Sequence, residues 1–264
     1  MKLCRFLSTE KGQIARETPG SAYAGIVEGN AIAEIRGELW GDLERTGRRW
    51  PVDNVKFLPP SSPTKIVCVG RNFAAHASEL GNEVPKEPLI FLKPPSSVIA
   101  PEDPIVIPDV SKRVDFEGEL AIVIGRRCQH PKPSEDVNSY IAGYTCLNDV
   151  TARDLQKSDA QWWRAKGSDT FCPFGPLLET DLDPASTVET FVNGIRKQSG
   201  SISNWIFPPD VIIRWIARVM TLEPGDVIAM GTPDGVGPLA AGDTVEVVVT
   251  GIGRLRNTVV ASPE

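Results

Sequence analysis

Two glutamates lie two residues apart in the segment RVDFEGELAIVIG, residues 113–125. The even positions of this segment are apolar or glycine and the odd positions begin with charged residues, so the period of two predicts a β-strand. On a strand, Glu117 and Glu119 point to the same side, where two carboxylates repel each other unless a cation lies between them. Hard divalent cations prefer such oxygen ligands. The segment therefore predicts part of a metal site or, as the alternative, the solvated acidic face of a half-buried strand.

Two more groups of polar residues have spacings that could serve chemistry. His76 and Glu79 stand three apart on a short helix predicted to begin after an N-cap at Asn72 and to end at Gly81. Such a pair shares one helix face. The alternative is an ordinary surface pair that stabilises the helix by a few tenths of a kcal/mol.

A second polar stripe is formed by Asp149, Arg153 and Gln156, which recur at i, i+4 and i+7. It starts at the end of a predicted strand and continues into a helix predicted for TARDLQ, residues 151–156. The alternative for Asp149 is a simple helix N-cap with Arg153 as its solvated neighbour. Lys166 heads a loop rich in glycine and proline, KGSDTFCPFGP, and such a lysine is ordinarily a solvated surface residue.

Composition narrows the classes of function. The chain has 264 residues, a net charge of −6 and a pI near 5.2, which argue against nucleic acid or an anionic membrane as the main partner. No apolar run approaches the roughly 20 residues of a membrane span, and the N-terminal residues have no signal-peptide pattern. Five cysteines, widely spaced and never in C-x-x-C, indicate a reducing cytoplasm. Because there are only two histidines, any metal site must rely on carboxylates.

The elements that must position these residues are mostly strands. Strands are predicted at residues 2–6, 23–27 and 31–35, with a Gly-Asn turn between the last two. The break LPPSSP at residues 58–63 predicts a boundary between a small β-rich accessory domain, residues 1–60, and a larger domain, residues 61–264. Because Ala121 and Val123 continue the odd face of the strand at 113–125, we expect that strand to enter a core buried on both faces.

Six segments, in order and at natural spacing, resemble the fumarylacetoacetate hydrolase family from about Lys65 to the C-terminus. They are VGRNFAAHASELG, PLIFLKPPSSVIAP, VDFEGELAIVIGRRC, GYTCLNDVTARDLQ, KGSDTFCPFGP and EPGDVIAMGTPDGVGP. The N-terminal part also looks like the accessory domain of bacterial members. The resemblance implies a β-rich α/β fold of twisted, mixed sheets with short helices, rolled around a central site and assembled as a homodimer in the cytoplasm.

The resemblance also implies roles for ten residues. The metal-binding carboxylates would be Glu117, Glu119 and Asp149; the catalytic residues His76, Glu79 and Lys166; and the residues lining the substrate site Arg71, Arg153, Gln156 and Thr232. The alternative for Arg153 is that it holds the metal-binding carboxylates in place. Three carboxylates leave open positions on Mg²⁺, or Mn²⁺ as a substitute, for water and a chelating 2-oxo acid. The fourth acidic ligand of the larger eukaryotic members has no counterpart in this chain, and we expect water in its place.

The reaction remains open between several alternatives. The first is hydrolysis of a C–C bond in an acylpyruvate-like β-dicarbonyl compound, with water activated by His76 and an enolate leaving on the metal. The others are isomerisation or tautomerisation of a 2-hydroxydienoate such as 2-hydroxyhepta-2,4-diene-1,7-dioate, and decarboxylation of an oxaloacetate-like acid. A non-catalytic, metal-stabilised binding protein is the alternative from another class. All the enzymatic readings predict a small 2-oxo acid or dicarboxylate as the partner.

Overall fold

The computed structural model describes residues 1–9, 22–79 and 83–262, which are mostly β-strand with a few short helices. The strands are β1 Lys2–Ser8, β2 Tyr23–Glu28, β3 Ala31–Arg36, β4 Glu44–Pro51, β5 Val55–Leu58, β6 Ile66–Gly70, β7 Leu89–Lys93, β8 Val98–Ile99, β9 Ile105–Ile107, β10 Val114–Phe116, β11 Gly118–Ile124, β12 Ile141–Asn148, β13 Thr151–Ala152, β14 Cys172–Glu179, β15 Thr187–Val192, β16 Ile195–Ser201, β17 Val227–Ala229, β18 Gly237–Pro238, β19 Thr244–Val249 and β20 Gly253–Ala261. The α-helices are α1 Ala74–Glu79, α2 Arg153–Ser158, α3 Trp163–Lys166 and α4 Pro209–Ala217, and 3-10 turns lie at Val52–Asn54, Pro95–Ser97, Val137–Tyr140 and Ile202–Asn204. The predicted β-rich α/β class is confirmed.

The described strands form three sheets, two of them mixed and the third antiparallel. The largest has the strand order β4-β3-β2-β1-β14-β12-β11-β17-β6-β7, with β5 added beside β1 and β8 beside β14. A second sheet has the order β16-β15-β19-β20-β9, and a third, β13-β10-β18. Most described pairs are antiparallel, whereas β17 with β6, β14 with β8 and β20 with β9 are parallel. Among the described residues, no helix is long and apolar enough to span a bilayer.

The strand β11 is the centre of the core, and all seven of its residues are buried. Leu120 and Ile122 face a cluster that includes helix α4 and the five-stranded sheet. Ala121 and Val123 face the opposite cluster, built on strands β12, β14 and β17. The prediction of a strand covered on both faces is therefore confirmed, and the alternative of a half-buried strand with a solvated acidic face is wrong.

The N-terminal strands continue the large sheet. Strand β1 pairs antiparallel with β14, with Lys2 opposite Glu179. The described residues before residue 60 also form a small buried cluster around Phe6, Ile32 and Trp50, against which Leu177 of β14 packs. The division at residue 60 stays a prediction about folding units, since the backbone hydrogen bonds of the sheet cross it.

Several local expectations need correction. Asn72 does not cap helix α1, because its side chain instead accepts a hydrogen bond from the Phe207 amide and donates to the Phe207 and Met230 carbonyls. Helix α1 begins at Ala74, and the expected end of that helix at Gly81 lies outside the described residues. The helical run expected from residue 151 begins only at Arg153, since the two preceding residues form strand β13.

Candidate active site

Three carboxylates meet where strand β10 ends, strand β11 begins and strand β12 ends. Glu117 lies between β10 and β11, and Glu119 lies two residues further along the chain. The antiparallel register places Gly118 opposite Asn148, so that Asp149, the residue after β12, lies beside Glu117. The Asp149 amide donates to the Glu117 carbonyl at 2.8 Å. One carboxylate oxygen from each of the three acidic residues lies within 4.8 Å of the other two, and all three side chains are buried.

Two buried lysines balance part of this negative charge. Lys166, the last residue of helix α3, donates to Glu117 Oε2 at 2.8 Å and to Asp149 Oδ2 at 2.5 Å. Lys93, at the end of strand β7, donates to Asp149 Oδ1 at 2.5 Å. Burial alone would lower the pKa of Lys166, but the charges of Asp149 and Glu117 raise it above its usual range, so this lysine is a cation. Lys166 is thus not the solvated residue of the alternative reading.

Arg153 binds two of the buried carboxylates, those of Asp115 and Glu117, and also binds Gln156. Its guanidinium donates to Asp115 Oδ2 at 2.9 Å, to Glu117 Oε1 at 2.5 Å and to Gln156 Oε1 at 2.5 Å. The alternative of Asp149 as a helix N-cap with Arg153 as its solvated neighbour is wrong, because both side chains are buried and each forms an ion pair. The side chains of Asp149, Arg153 and Gln156 do lie close together as the spacing predicted, although only Arg153 and Gln156 belong to a helix.

Glu117 and Glu119 differ in how their charges are compensated. Burial would raise the pKa of Glu117, but Lys166 and Arg153 hold it well below its usual range. The pKa of Glu119 is raised, first by burial and then by the charges of Asp149 and Glu117. Among the described residues, the hydrogen bond that reaches the Glu119 carboxylate comes from the Gly231 amide at 2.7 Å, and no lysine or arginine forms an ion pair with it.

This arrangement fits a hard divalent cation. A buried carboxylate without an ion-pair partner, such as Glu119, is unfavourable unless it is protonated or a metal ion binds to it. The donor set consists of oxygens alone, which Mg²⁺ and Mn²⁺ prefer over softer ligands. Glu117, Glu119 and Asp149 could each supply one such oxygen.

The His76–Glu79 pair lies on helix α1 at the same cavity. His76 Nδ1 and Glu79 Oε2 are 3.3 Å apart, and Glu79 Oε1 accepts a hydrogen bond from the Gly235 amide at 3.0 Å. A carboxylate that accepts from Nδ1–H leaves Nε2 of a neutral imidazole as the basic nitrogen. His76 is 4% exposed, so it is a buried residue and not the surface residue of the alternative reading.

All ten residues predicted from the sequence line one cavity of about 350 Å³. The cavity lining is Val69, Gly70, Arg71, His76, Glu79, Phe91, Glu117, Glu119, Asp149, Arg153, Gln156, Lys157, Trp162, Lys166 and Thr232. Sequence reasoning missed Lys93, Asp115 and Lys157. The position of Lys93, at the end of an apolar strand before two prolines, was a usable signal, because a lysine in such a strand needs a charged partner.

Two family models match the chain. Residues 65–260 match the model described as "Fumarylacetoacetate (FAA) hydrolase C-terminal". The chain belongs to the fumarylacetoacetate hydrolase family. Residues 1–60 match a second model, "Rv2993c-like, N-terminal". The resemblance seen in the six segments is thereby confirmed.

Three relatives illustrate the range of this family. The protein Rv2993c of Mycobacterium tuberculosis is 48% identical over 88% of this chain and 95% of its own length. The structure of 5-carboxymethyl-2-hydroxymuconate delta-isomerase from Mycobacterium smegmatis has a TM-score of 0.88 and 43% identity, covering 99% of this chain and all of its own. Human oxaloacetate tautomerase FAHD2A is 42% identical over 80% of this chain and 71% of its own length. Members of the fumarylacetoacetate hydrolase family are enzymes, and those similar to this chain include an isomerase and a tautomerase.

Proposed function

We propose that this chain is a divalent-metal-dependent enzyme that enolises a 2-oxo dicarboxylate and so interconverts its keto and enol forms. The observation that supports this most directly is the shared cavity, in which three buried carboxylates and a His–Glu pair face the same space. The isomerase and the tautomerase among the relatives are consistent with the same step, because both names describe movement of a proton and a double bond.

Glu117, Glu119 and Asp149 would hold Mg²⁺ or Mn²⁺. When bound, such an ion acts as a Lewis acid towards the oxygens of a 2-oxo acid. Lys166 keeps a positive charge beside these carboxylates and adds to the stabilisation of negative charge that develops on the 2-oxo group. Arg153 fixes the orientation of Glu117 from the side away from Lys166.

His76 moves the proton in this proposal. Its Nε2 removes a proton from the carbon next to the 2-oxo group, the electrons of the C–H bond form the C=C bond, and the carbonyl electrons move to oxygen. The same proton then returns to that oxygen or to a different carbon, which gives the enol or the shifted alkene. Glu79 keeps the imidazole in the required tautomer and stabilises its protonated form.

The dicarboxylate preference rests on two cations at the cavity. Arg71 and Lys157 line it, and neither forms an ion pair with a described residue, whereas Lys166, Lys93 and Arg153 all do. Arg71 has a left-handed backbone, with φ of 58°, a conformation that costs about 1–2 kcal/mol in a residue with a side chain. Such strain is often kept where it directs a side chain to a ligand. A second carboxylate would satisfy both cations.

The experiment is an ultraviolet assay of keto–enol interconversion. Enolic oxaloacetate, which absorbs more strongly than the keto form, is added to the protein with Mg²⁺, with Mn²⁺ or with EDTA. We expect an accelerated decay of absorbance only when metal is present, and loss of that acceleration in Lys166→Met. If neither oxaloacetate nor a longer 2-hydroxydienedioate reacts faster than in buffer with metal alone, the proposal is wrong.

Hydrolysis of an acylpyruvate is the second candidate, because a His–Glu pair can equally take a proton from water. Its test is pyruvate release from acetylpyruvate, followed with lactate dehydrogenase and NADH. Pyruvate formed together with acetate would favour hydrolysis, whereas a change in the ultraviolet spectrum without pyruvate would favour tautomerisation alone. The homodimer also remains a prediction, for which light scattering after gel filtration is the measurement.

A further inference from the structure

Gln198 lies outside the cavity lining, but one of its hydrogen-bond partners, Thr232, belongs to that lining. It lies on strand β16 and is 1% exposed. Its Oε1 accepts from the Gly118 amide at 3.0 Å, and its Nε2 donates to Thr232 Oγ1 at 2.8 Å and to the Pro233 carbonyl at 2.7 Å. These partners fix the orientation of the amide, because the reverse orientation would set two donors against each other at Gly118 and two acceptors at Pro233.

The first of these contacts reaches the backbone between the two glutamates. Thr232 Oγ1 donates to the Gly118 carbonyl at 2.8 Å, so Gln198, Thr232 and Gly118 form a closed ring of three hydrogen bonds. Both polar backbone groups of Gly118 are therefore held by side chains from elsewhere in the chain. A Cβ atom at Gly118 would lie 2.0 Å from Thr190 Oγ1, so the backbone that carries Glu117 and Glu119 lies directly against strand β15.

The other contacts of Gln198 reach the loop of residues 231–235, and both ends of this loop are hydrogen-bonded to residues of the candidate active site. The amide at the start of this loop, of Gly231, donates to Glu119 Oε2 at 2.7 Å. The amide at its end, of Gly235, donates to Glu79 Oε1 at 3.0 Å. Gln198 holds the middle of the loop, between these two donors.

We propose that Gln198 is a positioning residue. It holds the backbone between Glu117 and Glu119 at a fixed position relative to the loop, residues 231–235, that binds Glu79. Its contribution is to align the His76–Glu79 pair with the metal site, without contact with the substrate. The inference rests on the proposed metal site. Loss of the Gln198 amide should therefore weaken metal binding as well as turnover, since partners that orient metal ligands typically contribute 10–100-fold to affinity or activity.

A merely structural role is the competing explanation, and the chain offers a matched control for it. Asn257, on strand β20, is also 1% exposed, and its Nδ2 donates to the backbone carbonyls of Ala100 at 2.9 Å and Asp103 at 2.8 Å. It is a buried amide of the same chemistry whose side-chain hydrogen bonds reach residues outside the cavity lining. Gln198→Met and Asn257→Leu both remove such an amide while keeping the side chain close in size.

The test measures the dissociation constant of Mn²⁺ by calorimetry and the exchange of backbone amides at residues 231–235 by mass spectrometry. We expect both variants to lower the melting temperature. Only Gln198→Met should raise the Mn²⁺ dissociation constant, by 10-fold or more, and speed exchange in this loop. Asn257→Leu should stay within twofold of the unsubstituted protein in both measurements. Turnover per folded molecule should follow the Mn²⁺ result.

The possible outcomes separate this inference from the proposed function. If the unsubstituted protein does not bind Mn²⁺, the proposed metal site fails. If it binds Mn²⁺ and Gln198→Met binds it within twofold, the positioning role is refuted. Gln198→Asn, which keeps the amide but shortens it by one methylene, serves if the methionine variant does not fold. It cannot reach Gly118 and Pro233 together, so unchanged Mn²⁺ binding in it would equally refute the role.

Discussion

Glu119→Gln should change the stability of the protein little in the absence of metal and lower it strongly in its presence. The carboxylate is buried, its pKa is raised by burial and by Asp149 and Glu117, and no described lysine or arginine forms an ion pair with it. Without metal, a neutral amide of the same shape can still accept the hydrogen bond from the Gly231 amide. The free energy of unfolding of the metal-free protein should therefore change by less than about 1 kcal/mol.

With metal, the same substitution should destabilise the protein strongly. An ion at about 1,000 times its dissociation constant stabilises the native state by about 4.1 kcal/mol. If the loss of one charged ligand weakens binding about 100-fold, the same concentration is only about 10 times the dissociation constant and stabilises by about 1.4 kcal/mol. The difference, about 2.7 kcal/mol, corresponds to roughly 5–10 °C in melting temperature for a chain of this size.

The assay is thermal unfolding in EDTA and in a series of Mn²⁺ concentrations. Glu189→Gln is the control, because this carboxylate pairs with the exposed Arg196, away from the cavity. We expect the control to show the full metal-induced increase in melting temperature and Glu119→Gln to show less than half of it. An unaltered increase in Glu119→Gln, or a loss of several degrees in EDTA alone, would refute the reasoning from charge.

Three further substitutions give different expected outcomes. Arg153→Met removes the guanidinium shared by the buried carboxylates of Asp115 and Glu117 and should lower the free energy of unfolding, measured in urea, by about 3 kcal/mol. This value is at the low end of the range for broken buried ion pairs, because each carboxylate keeps another cation. Asp226→Ala leaves three backbone amides without their acceptor and should cost about 3–5 kcal/mol by the same assay while Mn²⁺ affinity stays within twofold. His76→Ala should lower turnover by about 10²–10⁴-fold in the ultraviolet assay and leave the Mn²⁺ dissociation constant within about twofold.

Each of these expectations has a result that contradicts it. Arg153→Lys can replace only one of the contacts, so full stability in that variant would show that the guanidinium fork is unimportant. A weakened Mn²⁺ affinity in Asp226→Ala would mean that the disturbance reaches the carboxylates. Unchanged turnover in His76→Ala would remove the proton-transfer role of this histidine.

The sequence alone determined which side chains of one element act together. The period of a strand put Glu117 and Glu119 on one side, and the period of a helix put His76 and Glu79 on one face, because backbone geometry fixes side-chain direction over a few residues. The family resemblance added the roles of Asp149 and the other lining residues, and the structure brings all of them to one cavity.

Only the tertiary structure decided which distant residues complete the site. Lys93 reaches Asp149 across 56 positions of sequence, and Gln198 reaches Gly118 across 80. Asn72, expected as a helix cap, is used instead to hold Phe207, 135 positions away. Such contacts depend on which strands pair and in what register, and no local period encodes that choice. The same reason explains why the sheet continues from residues 1–60 into the rest of the chain.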